Sequence, residues 1–387
     1  MHKICRSVLS AAAAVAALSS LQNAYAQTME TLTNKTGELA EPIIGKTDNR
    51  LQKVATFQQQ VTGVTVSEDG RIFVNFPGWS EDVPISVAEV IMGGSVKPYP
   101  NDEWNSWRNA KMSEISPKDH FVTVQSVVAD GRGSLWVVDP AAPNSEKTVK
   151  DGPKLVQIDL KTNTVKRVYP FGPEIDGPAS YLNDVRIAPD GAFAYFTDSG
   201  TPGGLVVLDL TSGKAWRVLS DDPSTQFEKD VVAQVDGKPL RRPDGRQPLF
   251  NADSIALSQD GKTLYWKPLT GKTMYHITTE ALRMAGQDPS AARPEKFADT
   301  EPTDGLWIDD QNRIYLSTIQ DDGIKVLGPD GAVTPLLQDG RLRWPDTFSQ
   351  GPDGTMYITA SHIQDSPWFH QGWTDDSFAL FKFTPPK

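Results

Sequence analysis

Cysteine is all but missing from this chain: there is one in 387 residues, Cys5, and it stands ahead of an Ala-rich apolar run near the N-terminus. Without thiols the remainder has no disulfide, no cysteine-bound metal and no thiol nucleophile, so its stability must come from a packed core. Histidine is scarce as well, with five residues and no His-x-x-x-His or similar metal-binding spacing. No Ser-His-Asp set is apparent. No polybasic run occurs and the formal net charge is −11, which argues against nucleic acid or an anionic membrane surface as a partner.

What is present at the start is a leader. In "MHKICRSVLSAAAAVAALSSLQNAYAQ" Lys3 and Arg6 precede the apolar run, and Ala24-Tyr25-Ala26 supplies an A-x-A cleavage site. The run is too short and too rich in Ala and Ser for a membrane anchor, which needs roughly 18 strongly apolar residues. The sequence therefore predicts a signal peptide over 1–26, a secreted or periplasmic location, and no membrane insertion of the mature form. Residues 27–50 read as a polar arm.

From residue 51 to 387 the chain repeats itself. Six stretches share one plan, a short alternating strand, a turn on Asp-Gly or its equivalent, and a second strand rich in aromatic and β-branched residues. They are "TGVTVSEDGRIFVNFP" at Thr62, "QSVVADGRGSLWVVD" at Gln125, "SYLNDVRIAPDGAFAYFTDSG" at Ser180, "DSIALSQDGKTLYWKP" at Asp253, "DGLWIDDQNRIYLST" at Asp304 and "DTFSQGPDGTMYITAS" at Asp346. Third and fourth strands follow in most units, with no helical crossover. A period of about 40–70 residues with about four strands is that of a propeller blade. The last unit lacks a fourth strand and residues 51–60 alternate like one, so the expected fold is all-β: a six-bladed β-propeller closed by an N-terminal strand.

The first strand of each blade lines the channel, so its starting residue faces the axis. Those starts are Thr62, Gln125, the Asn183-Asp184 pair, Asp253, Asp304 and Asp346. Neighbouring strand residues point to opposite faces, so Asn183 is expected to face the axis with Asp184 behind it unless the strand bulges. Carboxylates gathered on an axis repel one another unless a cation or a basic ligand sits among them. Hard oxygen donors favour a divalent cation such as calcium, with Asn183, Asp253 and Asp304 as ligands. Gln125, Asp184 and Asp346 complete the expected ligand-binding ring.

Loops between second and third strands open at the same end. They bring Trp79 from "FPGWSEDVPIS" and His362, Trp368, His370 and Trp373 from "ASHIQDSPWFHQGWTDDS", a candidate lid for a small-molecule ligand or substrate. Trp104 and Trp107 are expected on the opposite wall.

The runs "YLNDVRIAPDGAFAYFTDSG", "GGLVVLDLTSGKAWRVL", "DSIALSQDGKTLYWKPLTGKTMYHI", "GVTVSEDGRIFVNFPGW" and "QSVVADGRGSLWVVD" resemble the major royal jelly protein and yellow family over nearly the whole mature chain. That resemblance implies a secreted six-bladed propeller. More distantly, the strand starts resemble those of gluconolactonase and senescence-marker propellers, in which a Glu, two Asn and an Asp hold a divalent ion above a lactone pocket. Asn183, Asp253 and Asp304 match three of those positions; Thr62 or Gly63 stands where the Glu would be.

Two classes of function follow. One is an enzyme, foremost a metal-assisted hydrolase of a lactone or ester in which Asp304 or Asp253 accepts a proton from the attacking water. The yellow likeness implies a variant, isomerisation of an oxidised, dopachrome-like catechol. The other is a non-catalytic binder of a small amine or aromatic molecule.

Overall fold

The computed structural model describes residues 46–79 and 83–386. The expected signal peptide and most of the polar arm lie outside these residues. The remainder forms six four-stranded antiparallel sheets arranged as a ring.

In chain order the blades comprise these strands. Blade I is Val64–Val66, Ile72–Asn75, Val87–Val90 and Val96–Pro98; blade II is Ser126–Ala129, Ser134–Asp139, Lys154–Asp159 and Thr164–Pro170. Blade III is Leu182–Ile187, Phe193–Asp198, Gly204–Asp209 and Ala215–Val218; blade IV is Ala252–Leu257, Thr263–Pro268, Thr273–Thr278 and Glu295–Asp299. Blade V is Thr303–Ile308, Ile314–Thr318, Gly323–Leu327 and Val333–Gln338. Blade VI has Pro345–Gln350, Met356–Ala360 and Ala379–Phe383, and takes its outer strand, Gln52–Thr56, from the N-terminal side. Each first strand touches the first strands of both neighbouring blades, and blade VI touches blade I, so the ring is closed.

The turns follow directly from the sequence. At the far end of five blades an Asp side chain accepts the backbone N–H two residues on: Asp130, Asp190, Asp260, Asp309 and Asp353, at 2.9–3.1 Å. These are Asx-type turns, for which short Asp side chains are suited. The carboxylates at this end are therefore occupied by hairpin geometry.

Burial on both faces explains the apolar runs. In blade III, Ala194, Phe196, Val206 and Leu208 pack against Trp136, Val138 and Leu155 of blade II. Their alternates Tyr195, Leu205 and Val207 pack against Ile255, Leu264 and Trp266 of blade IV. Successive residues point to opposite faces, so a run such as Leu205-Val206-Val207-Leu208 fills two inter-blade cores at once. Comparable layers fill the other four junctions.

Closure is made by backbone pairing. Gln52, Lys53, Ala55 and Thr56 lie opposite Lys382, Phe381, Leu380 and Ala379, with an irregularity between Lys53 and Ala55. Ala55 joins the core between blades VI and I, and Leu51 that between blades V and VI. The one α-helix among the described residues, Thr279–Met284 (α1), follows the third strand of blade IV and packs Leu282 into the core between blades III and IV. No helix there is long and apolar enough to cross a membrane.

One glycine measures how tightly the inner strands approach. A Cβ on Gly305 would lie 1.9 Å from the backbone oxygen of Asp346 in the next blade, whereas one on Gly331, in a turn with φ +82°, would meet nothing within 4 Å. Backbone cannot swing aside as a side chain can. Gly305→Ala should therefore destabilise by more than about 3 kcal/mol, beyond ordinary overpacking. Gly331→Ala should cost only about 1 kcal/mol, from its positive φ. Urea unfolding of both variants checks the ordering; equal losses would contradict this contact.

Candidate functional site

An axial cavity of about 600 Å³ opens at the end of the ring where the first strands begin. Gln125, Asn183, Asp253, Asp304 and Asp346 all line it, joined by Trp79 and Trp368 from the loops. Sequence periodicity thus brings together residues from blades II to VI, although they are spread over more than 200 positions.

A repeated break in the strands presents these residues. Between Leu182 and Val185 the first strand of blade III sets Asn183 and Asp184 against the single residue Thr197. Blade V does the same with Asp304 and Gly305 against Ser317, and blade VI with Asp346 and Thr347 against Thr359. Blade IV inserts Asp253 between paired Ala252 and Ser254. A β-bulge leaves the extra residue free of the ladder and re-aims its side chain. Hydroxyls opposite the bulges hold the displaced backbone: Ser317 Oγ accepts from Gly305 N–H at 2.6 Å and Thr359 Oγ1 from Thr347 N–H at 3.1 Å.

The floor is acidic. Asp253 and Asp346 are 6–7% exposed, Asp304 is partly buried, and none makes an ion pair among the described residues. Burial pushes the Asp253 carboxyl well above the ordinary range, and the charges of Asp304 and Asp184 push it further. Asp346 is raised by burial and by Asp304 and Asp184. Burial raises Asp304 too, against a hydrogen bond donated by Trp344 Nε1 at 2.6 Å and another shared with Asp346. Neighbouring acids crowded in this way raise one another.

One wall is a chain of hydrogen bonds. Trp79 Nε1 donates to Tyr181 Oη at 2.6 Å, Tyr181 Oη to Gln125 Oε1 at 2.8 Å, and Gln125 Nε2 to Asn183 Oδ1 at 3.0 Å. Asn183 Nδ2 then donates to Ser199 Oγ at 3.1 Å. Trp368 packs on Trp79 with ring centroids 4.8 Å apart, and Phe250, Leu269, Trp344 and Ile363 add apolar surface. Arg242 and Lys147 stand among the lining residues as well.

Four expected ligand-binding residues lie elsewhere. The bulge turns Asp184 away from the cavity, where it pairs with Arg186 at 3.7 Å and borders a second cavity that opens among the turn-end residues. Its charge reaches the floor from behind. His362 has a left-handed backbone, φ +50°, which sends Ile363 to the cavity wall and the imidazole towards Asp365 and Asp375. His370 is exposed, and Trp373 packs on Phe378 at 5.1 Å. Trp104 and Trp107 also line no cavity wall: Trp104 packs on Phe121, and Trp107 joins Val122 and Ala141. Tyr181 and Trp344 were the lining aromatics that strand-start reasoning passed over. Tyr181 stands two residues before Asn183, and period two places it on the same face, whereas Trp344 precedes its strand with φ +49°, so alternation gives no sign of it.

The donor set was tested against a divalent ion. Asn183 Oδ1 already accepts from Gln125, and Thr62 at the start of blade I is taken up by Asn75 Nδ2 at 2.9 Å and does not line the cavity. The carboxylates of Asp253, Asp304 and Asp346 do not bring one oxygen each within 4.8 Å of the others, as ligands of one ion would. The three acids do not form a cage by themselves.

Buried acids of this kind carry a pH signature. Unfolded, they ionise near pH 4; folded, they hold protons to higher pH, so ionisation costs stability increasingly as pH rises from about 4 through the folded values. Asp346→Asn removes that cost and should raise Tm by several degrees at pH 8 while leaving it unchanged at pH 4. Melting curves across that range check this; a gain independent of pH would contradict it.

A model of the family described as Major royal jelly protein matches residues 122–333. Protein yellow of Drosophila guanche is 26% identical over 226 residues, 55% of this chain and 38% of that protein. Protein yellow of Drosophila melanogaster is 25% identical over 227 residues, 55% of this chain and 40% of that protein. The match thus spans well under half the length of these curated relatives. Among solved structures, a gluconolactonase from Xanthomonas campestris superposes with TM-score 0.52 at 13% identity, covering 87% of this chain and 89% of that one. Regucalcin of Agrobacterium tumefaciens, a calcium-binding protein, gives 0.51 at 13%, covering 86% and 94%. Likeness at this level is one of fold.

Proposed function

The chain belongs to the major royal jelly protein family, and from that premise we propose that its axial cavity takes a small aromatic molecule carrying positive charge and moves a proton on it. The observation that carries this reading is the floor: three carboxyls, two buried and one partly buried, without an ion-pair partner among the described residues, beneath aromatic walls. A protonated amine supplies the missing charge, and a cavity lined by Trp79, Trp344 and Trp368 suits a flat ring. Burial lifts Asp304 to about 7 and holds Asp346 well above the ordinary carboxyl range, and acids raised in this way can remove and return a proton. With Asp304 as base and Asp346 as acid, an oxidised catechol of the dopachrome kind would be isomerised with no net redox change, one C–H proton leaving and one arriving.

A second reading, metal-assisted hydrolysis of a lactone or ester, draws on the same floor. Its favouring observation is that Asn183, Asp253 and Asp304 offer hard oxygens from three successive blades to one cavity. An ion bound there, calcium foremost, would polarise the carbonyl, with Asp253 or Asp304 accepting the proton from water. Asn183 would first have to release Gln125.

The two readings separate experimentally. Calorimetry with dopamine and with the matching carboxylic acid, 3,4-dihydroxyphenylacetate, should show binding of the amine alone, weakened about tenfold or more by Asp304→Asn, since a charged hydrogen bond contributes about 1.5–3 kcal/mol. Loss of absorbance of the aminochrome formed by oxidising dopamine, which is dopachrome without its carboxylate, should slow in the same variant. Equal binding of amine and acid would overturn the proposal. Chelator-sensitive lactone turnover, with calcium raising Tm, would establish the second reading instead.

A further inference from the structure

We propose that His362, Asp365 and Asp375 form a binding site for a divalent transition metal, outside the axial cavity, and that the ion clasps the two stems of the loop carrying Trp368. His362 is 3% exposed, and its Nδ1 is buried with no hydrogen-bond partner. That nitrogen lies 3.5 Å from Asp365 Oδ2 and 3.6 Å from Asp375 Oδ1, and the three residues offer one ligand atom each within 4.8 Å of one another. Ligands about 2.0–2.1 Å from a tetrahedral zinc ion stand about 3.3 Å apart, so little movement is required. An imidazole with two carboxylates suits zinc, manganese or cobalt better than calcium or magnesium.

The surroundings hold these groups in place. Arg343 Nε donates to Asp365 Oδ2 at 2.7 Å and a terminal nitrogen to Oδ1 at 2.8 Å, while Thr374 Oγ1 donates to Oδ1 at 3.0 Å. Two acceptor positions per oxygen are then filled on Oδ1, leaving one on Oδ2 for the side where His362 lies. Asp375 Oδ1 accepts from the backbone N–H of Ser377 at 3.0 Å and from its hydroxyl, which leaves Oδ2 as the oxygen for an ion. Ligating carboxylates are commonly fixed in this way. Arg343 also pairs with Asp236 at 3.0 Å, so one guanidinium answers two carboxylates, while Asp375 has only His362 as an ion-pair partner among the described residues. Positive charge is in deficit here.

Placement gives the ion a role. His362 and Asp365 directly follow the second strand of blade VI, and Asp375 shortly precedes the third. The stems already meet where Thr374 N–H donates to Asp365 O at 3.0 Å. Between them the loop sends Ile363 and Trp368 into the cavity wall. An ion shared by both stems would close the loop at its base and steady that wall.

The test uses the full mature chain, purified with chelator and dialysed, and zinc alone as probe. Calorimetry should show one equivalent bound, and zinc should slow proteolytic nicking of the 366–374 loop. Asp375→Asn, at a half-exposed position that leaves the core intact, should weaken zinc at least tenfold and abolish the protection; His362→Gln should do the same. Asp304→Asn, on the floor of the axial cavity, should bind zinc as the wild type does, which keeps this test separate from that of the proposed function. No zinc binding by the folded wild type, unchanged binding in folded Asp375→Asn, or loss of binding in Asp304→Asn would each overturn the proposal.

Discussion

Where each inner strand begins, polar groups of one blade must satisfy the backbone of the next. Thr359 donates to Thr62 O at 2.6 Å, Asn75 to Gln125 O at 3.0 Å, Thr197 to Asp253 O at 2.6 Å, and Ser254 to Thr303 O at 3.0 Å. At the junction of blades V and VI a bare Gly305 lets the backbones meet, and between blades II and III the side chains of Gln125 and Asn183 do so. A buried carbonyl left unpaired costs about 1–3 kcal/mol, so these links are conditions of the fold. They also fix the bulges, and the bulges aim the acids. Site and scaffold are held by one set of bonds.

Such an arrangement sets the cavity floor against the stability of the ring. Carboxyls crowded away from water resist ionisation, and Asp184, though paired with Arg186, adds its field from the other side. Six inter-blade cores supply the hydrophobic stabilisation that lets this cost be borne. Strain of this sort commonly gathers where a ligand is bound.

The ring was legible because two periodicities agree: alternation within strands, and recurrence of Asp-Gly turns between them. They placed Asn183, Asp253, Asp304 and Asp346 on one floor and matched the strand Gln52–Thr56 to the end of the chain. Both turn on backbone geometry alone. The lid was less legible, because in a loop the direction of a side chain follows φ and ψ residue by residue. A left-handed His362 exchanged places with Ile363, and the long connection from blade III to blade IV brought in Arg242 and Phe250 from a stretch without alternation. Asp184 lies behind Asn183, as alternation within a strand leads one to expect, even though the ladder breaks there.

Closure by Gln52–Thr56 has a consequence in time. The first strand among the described residues pairs with one more than 300 residues further along the chain. Its partners do not exist until blade VI has been synthesised, so blades I to V can assemble while the seam stays open and two sheet edges remain unpaired. Long-range strand pairing is slow to form, and exposed edges invite other chains. The final joining step is therefore the point at which a nascent ring is most vulnerable to association with its neighbours, and the step that a chaperone holding the early strand apart would protect.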